Sequence, residues 1–564
     1  VSRRAALKLG GALAFGAVAA SEVGATSEAS AEPASDVNVA PQPPPALRQP
    51  DRPEARVVGP PPLPPLGVIV FNRLAFGPRP GDLAAFQALG ANDDARLQAW
   101  VDQQLNPAAI NDSACDAKIA AANLPTLNKS LTQLWWDHVT HNGGSWSVRM
   151  QPAEETQKAT FLRAVYSRRQ LKEVLVDFWF NHFNVYGWDG NIAPVLVHYD
   201  RDVIRANVLG RFRTLLEAVA TSPAMIYYLD NYINSRAGPN ENYARELFEL
   251  HTLGAENYLG VMRQNQVPGY PDNPIGYVDD DVYEATRCFT GWRVADGDWP
   301  VTQDTGEFLY YDSWHDRFQK RVLGHDLPAD QPAMQDGRDV LDALANHPGT
   351  ARFIARKLCR RLISDDPPQS IVDTAADVFY TQRNAPDQLK QVVRAIVLSD
   401  EFKTTWGEKV KRPFEVVAGY LRATNANFSF TNEFDWNFEG QGQPLFGRRP
   451  PDGYPDVKAA WIGTTTMLQS WRFINYLIEN WIDGTTIDVV SQHPAAIKTP
   501  NAIVDYWIDR VLGRPLHPIE NREPLVDFMA QGRNPDFDLR PDQIADRLPR
   551  CVALLLMLPD FRWR

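Results

Sequence analysis

This 564-residue chain is short of the strings that usually announce a reaction, and each absence removes a class of chemistry. No Gly-x-Ser-x-Gly elbow, no P-loop and no Gly-x-Gly-x-x-Gly after a strand occurs, which disfavours a nucleophilic serine and nucleotide-dependent chemistry. Histidine is scarce, with 10 in all, and no His-Glu-x-x-His is present. The four cysteines, Cys115, Cys288, Cys359 and Cys551, lie far apart without a Cys-x-x-Cys pair, so neither a zinc ribbon nor a dense disulfide framework is encoded. A basic excess is missing as well. The 69 acidic and 57 basic residues leave a net charge of −12, which argues against a surface that tracks phosphates, so nucleic acid is not an expected partner.

What is present is a globular composition, 44% hydrophobic, 22% charged and 11% aromatic. Near the start, Ser2-Arg3-Arg4-Ala5-Ala6-Leu7-Lys8 precedes a mildly apolar Gly/Ala stretch from Leu9 to Ala20. This resembles a twin-arginine export signal, assigned to residues 1–31, although Ala stands where such signals usually carry Phe or Leu. Residues 32–67 read as a Pro-rich, disordered linker, since eleven prolines between 41 and 66 favour extended polyproline II. Later segments fall short of about 18 uninterrupted apolar residues, so no transmembrane span is expected in the mature protein. The expected location is periplasmic or secreted.

From Phe71 onward apolar residues recur at three and four, as with Leu171, Val174, Leu175 and Phe178, and strand-like alternation is rare. An all-α body is therefore expected, with a few short strands or hairpins in irregular loops. The tract 293–332 has no helical period and is read as a hairpin or a functional loop. Segments 351–403 and 476–564 end on similar amphipathic helices, which suggests a duplicated hairpin packing module.

Several strings then occur together and in order: "DFWFNHFNVY", "HYDRDVIRANVLGRFRTLLEAVATSPAMIYYLDN", "NENYARELFELHTLG", "ARFIARKLCRRL", "VKRPFEVVAGYLRAT" and "GQPLFGRRPPDGYPD". The chain resembles the bacterial family catalogued as domain of unknown function 1800, over about residues 68–475, with 476–564 as a C-terminal helical extension. The resemblance implies a mostly helical exported protein. It carries no activity, cofactor or site residue across.

The densest polar constellation is the expected central helix 240–253. At 100 degrees per residue Asn242, Arg245, Glu246 and Glu249 fall in one sector of about 100 degrees, opposite Tyr243, Leu247, Leu250 and His251. A solvated face with an Arg245–Glu249 pair is the bland account of that stripe, and a hydrogen-bonded core histidine is the bland account of His251. The sharper one makes Glu246 and Glu249 an acid/base pair with His182 and His198 beside them as catalytic groups. Asn184, Arg201, Glu241, Asn242, Arg245 and Trp292 are then the substrate-binding candidates. Glu246 and Glu249 could also share an ion with His182, His198 or Asp200, and His138 and His141 are three apart, so metal and cofactor content stay open. His315-Asp316 and the loop Arg448, Arg449, Asp452 read as structural first.

The leading expectation is an exported hydrolase of an extracellular polymer such as a polysaccharide. A non-catalytic envelope binding or assembly protein and a metal-dependent or redox enzyme are the other two classes. The partner expected is the polymer or an envelope protein. Export by the twin-arginine route predicts that replacing Arg3 and Arg4 by Lys strands the protein in the cytoplasm, as cell fractionation would show. Unchanged export of that variant would remove the assignment.

Overall fold

The three- and four-residue spacing resolves into helices from Leu66 to Arg562. A computed structural model describes residues 61–564, all within one compact unit. The export signal and nearly all of the linker lie outside the described residues. The body is all-α, as the spacing predicts. Six helices frame the core and the polar groups set into it: α1 (Leu66–Arg73), α2 (Trp146–Tyr166), α3 (Gln170–His182), α4 (Asn242–Glu246), α5 (Pro348–Leu362) and α6 (Pro413–Ala423). Among the described residues no helix is long and apolar enough to cross a membrane.

Local chemistry explains the boundaries. Ser145 caps α2 by accepting from the Val148 amide, and Pro413 opens α6 while Glu415 accepts from the Arg412 amide at 2.9 Å. On α3 the apolar set Leu171, Val174, Leu175 and Phe178 is buried, so the helix sits deep in the body. Three stretches depart from the α period by one residue per turn and wind as π-helix: Trp136–Thr140, Tyr199–Ile204 and Leu247–His251.

Strands are few and short. Trp292–Asp296 pairs antiparallel with Asp304–Tyr310, with Trp292 opposite Tyr310, which is the hairpin expected in the irregular tract. Lys320–Val322 pairs with His325–Leu327, and Asn427–Phe428 with Thr485–Thr486. Residues 369–404 and 522–562 each close with a one-turn helix, Asp400–Thr404 and Pro559–Arg562. All four cysteines are free and buried.

The interior is tied together by charge. Arg361 reaches Glu415 at 2.8 Å, Asp177 at 3.0 Å and Asp456 at 3.6 Å. Arg412 meets Asp177 and Glu415, Arg564 meets Glu415, and Lys409 bridges Asp365 and Asp456 at 2.8 and 3.3 Å. Backbone pairing continues the tie, with Lys411 N donating to Arg562 O and Arg564 N to Lys409 O. Residues from α3, α5, α6 and the chain's last residues are thereby clamped in one cluster.

Burial alone would raise the Glu415 carboxyl, but Arg361, Arg564 and Arg412 hold it well below its usual range. A carboxylate that binds protons less tightly folded than unfolded stabilises above about pH 4.3, and this contribution is lost as pH falls toward the folded value. Glu415→Gln leaves three buried guanidinium groups short of one anion and should cost about 3–5 kcal/mol. Denaturant unfolding at pH 7 measures it, and the deficit should shrink as the pH is lowered below about 4.

Candidate active site

The polar helix, expected over 240–253, begins two residues later at Asn242 and turns into π-helix from Leu247 to His251. The extra residue in that turn changes the facing of everything after it, so the single stripe splits. Arg245 does not pair with Glu249. Its guanidinium goes back to Glu241 at 3.0 Å and across to Asp279 at 3.5 Å, while Asn242 is exposed and leans toward Asp230 at 3.5 Å. Glu246 and Glu249 are left together, partly buried, with no hydrogen bond or ion pair among the described residues. Burial first, then the charge of Glu249 and that of Asp452, raise the Glu246 carboxyl against the pull of Arg245.

The loop that carries Asp452 is docked on the end of α3. Asn181 Nδ2 donates to Tyr454 O at 2.9 Å and its Oδ1 accepts from Tyr454 N at 2.7 Å. Gly453 makes this possible: its φ is +73°, and a Cβ there would lie 2.2 Å from Asn181 O. Asn184 Nδ2 donates to Arg448 O and Pro450 O, both at 3.0 Å, and the Tyr228 hydroxyl donates to Arg449 O. Asp452 itself pairs with Arg448 at 2.8 Å and remains more than half exposed. Asn184 is thus a clamp for the loop. Trp188 adds a bond from its indole to Leu445 O at 2.9 Å.

Behind the carboxylates lies a second set of groups. His251 is buried, as its place on the packed face predicts, but the hydrogen bond expected for its ring is not made: neither ring nitrogen has a partner. Burial, then the nearby Lys357 ammonium, lower it to about 3. His182 lies 6.2 Å away ring to ring and donates from Nε2 to His251 O at 3.1 Å, which leaves its Nδ1 without a partner. Lys357, on α5, has no hydrogen bond or ion pair among the described residues, rests over the Phe353 ring at 5.4 Å and is lowered by burial to about 8. Gly254, at φ +87°, gives Phe353 its room, since a Cβ would meet that ring at 2.5 Å.

Of the expected set, the fold sets Glu249 in the field of Glu246, with Glu241, Asn242 and Arg245 at one margin, while His182 is buried against His251 O and Asn184 holds the loop. Other expected members are elsewhere. His198 and Arg201 belong to a π-helical stretch and its entrance; Arg201 is bound to Asp202 and to the carbonyls of Leu127 and Lys129, and His198 lies in the field of Asp202 and Arg201. Trp292 has no exposed ring face: it is wholly buried, edge-on to Phe289 at 5.1 Å and Phe308 at 5.3 Å. His138 donates from Nδ1 to Val148 O and accepts from Lys129, while His141 stacks on Trp136, so the two histidines do not face one ion. His315 pairs with Asp336 and Asp316 with Arg287. Among the described residues no group of three or more His, Cys, Asp or Glu is placed to hold a metal ion. Tyr228 and Lys357 were not legible as site residues, because one Tyr in "MIYY" and one Lys among four basic residues carry no distinguishing pattern.

A family model described as "Protein of unknown function (DUF1800)" matches residues 69–563. The match therefore takes in the C-terminal helices as well as the central body. Comparison with curated proteins and with solved structures gives no match.

A histidine held neutral to about pH 3 when folded, but protonated below about 6.5 when unfolded, makes the native state less stable as pH falls from about 6.5 toward 3. The ring signals of His251 should accordingly stay those of neutral imidazole from pH 8 to about 4 in an NMR titration. Titration of that ring near pH 6.5 would mean that it is solvated or partnered.

Proposed function

Because the chain belongs to the DUF1800 family, to which no reaction is assigned, we propose its function from its own side chains: an exported hydrolase of an extracellular polymer, such as a polysaccharide. Glu246 acts as the general acid and Glu249 as its ionised partner. The observation that carries this reading is the state of Glu246, a partly buried carboxyl with no hydrogen-bond or salt-bridge partner, raised by burial and by a neighbouring carboxylate. Cleavage of a glycosidic bond needs one carboxyl protonated to give a proton to the leaving oxygen and another ionised to meet the positive charge at the sugar.

Accessibility and flanking groups favour a polymer. The pair is partly exposed beside the exposed Glu241 and Asn242, so a chain can lie across it without entering a closed chamber. Tyr258, 40% exposed, faces Tyr277 at 5.4 Å, and the Tyr277 ring lies in the field of Glu249. Toward the loop, Arg449 covers the Tyr186 ring at 4.3 Å. The exposed Tyr258 ring at one margin suits stacking on a sugar ring. Tyr228, raised to about 12 by burial, stays a neutral hydroxyl between the loop and Glu246.

Purified protein offered a panel of bacterial and plant polysaccharides should release reducing ends. Glu246→Gln should abolish the release while the melting temperature stays within a few degrees. The rate should fall on the alkaline side as Glu246 loses its proton, at a pH displaced upward from that of an ordinary carboxyl. Full activity of Glu246→Gln would end the assignment, and so would loss of activity explained by unfolding.

A further inference from the structure

A second site lies on the other side of α3's first turn. A cleft of about 710 Å³ opens between the helix Ser113–Ala121, the turn Pro125–Asn128, the end of α2 and the start of α3. Five cationic side chains line it: Arg163, Arg169, Lys172, Arg201 and Arg205. Three carboxylates share the lining, Asp112, Asp116 and Glu173, so the wall carries a cationic excess in a chain whose overall charge is −12.

Asp200 and Asp202 behind the lining bring the carboxylates to five against the five cations, but the pairing is uneven. Arg205, 8% exposed, donates from Nε to Asp200 at 2.6 Å and from Nη1 to Glu173 at 2.8 Å, and its Nη2 is buried without a partner. Asp200 is therefore already engaged when Arg163 approaches it at 3.9 Å, the one ion pair that Arg163 makes among the described residues. Asp112 is held by the Ser167 hydroxyl and the Arg168 amide, both at 2.7 Å, and Arg169 stands 4.0 Å from it. Lys172 has no hydrogen bond or ion pair among the described residues. Arg201 is fixed in the wall by Asp202 and two carbonyls.

Buried or half-buried cations without anions are costly, and the cost shows in proton affinity. Burial lowers Lys172 and then Arg205, Arg169 and Arg163 lower it further, against Glu173; burial and Arg205 likewise lower Arg163, against Asp200. A tetrahedral dianion would relieve both effects, since its oxygens can accept from several guanidinium and ammonium donors at once. The volume lies in the range of pockets for small molecules, about 300–1,000 Å³. We infer that this cleft binds a small molecule through a phosphate or sulfate group, with the partly exposed Arg163 and Lys172 as the donors and Arg205 as a buried charge behind them. The inference does not depend on the role of Glu246.

Calorimetric titration with inorganic phosphate, pyrophosphate and sulfate, at constant ionic strength and against chloride, tests it on the full chain. At least one of the three should bind saturably and raise the melting temperature; tighter binding of the phosphates points to a phosphate ester, and tighter binding of sulfate to a sulfate ester. Lys172→Gln and Arg163→Gln should each weaken binding by at least about tenfold, the worth of one charge-assisted hydrogen bond. Both side chains are partly exposed, and each variant loses like-charge repulsion, so the unliganded melting temperature reports that the fold is kept. No saturable binding of any probe, or binding that both variants leave unchanged, would overturn the proposal.

Discussion

One buried set of ion pairs fixes the positions on which the rest depends. Asp177, Glu415, Asp456 and Asp365 face Arg361, Arg412, Arg564 and Lys409, four charges against four, and most of them are almost wholly buried. Such a cluster adds little net stability over apolar packing of the same volume, yet it is intolerant of change because each lost partner strands a charge. Its consequence for the candidate site is geometric. Asp177 stands four residues before Asn181 on α3, Arg361 four residues after Lys357 on α5, and Asp456 four residues after Asp452 on the docked loop. Three of the segments that build the site are thus pinned one step away from it by one another's charges.

That arrangement also accounts for the order of the loop 443–457, which has no regular secondary structure to hold it. Asp456 is drawn in by Lys409 and Arg361, Asn181 and Asn184 grip its backbone, and Gly453 allows the close approach. The outcome is that Asp452 is presented near Glu246. Its charge and that of Glu249 then act on the same carboxyl, and Arg245, the one nearby cation on that helix, is spent on Glu241 and Asp279.

Much of the fold was legible because burial dictates spacing: the apolar set on α3 is where the period puts it, and on the polar helix Tyr243, Leu247 and His251 are buried as expected while the π-turn buries Phe248 and leaves Leu250 half-buried. The site was legible in part for the same reason. Glu246 and Glu249 stand out as carboxylates crowded on a helix whose other face is apolar, and His182 and Asn184 lie at the end of a deeply buried helix. What could not be read was any relation set by a non-local contact or by a local break in the period. Arg201 is claimed by carbonyls some seventy residues earlier, Arg245 by Asp279, and the π-helical turn at Leu247 redirects Glu249. Trp292 is one of sixteen tryptophans, and only the packing of Phe289 and Phe308 around it shows that it fills the core. Lys357 differs from its basic neighbours solely in having no partner, which no sequence displays.

Charge balance separates the parts of the interior that hold the fold from the parts open to other work. Surplus cations in the core find carbonyls: Arg73 donates to Phe402 O and Thr405 O, and Lys411 to Phe561 O, while Arg422 adds Gly77 O and Val165 O to its pair with Asp82. Lys357, over the Phe353 ring, departs from this habit, and two partly exposed places depart from it in opposite senses. On the polar helix, Glu246 and Glu249 lack a paired cation, and at the cleft Lys172 lacks an anion; all three side chains are partly exposed. These two imbalances are the ground for the proposed proton donor and the proposed anion site.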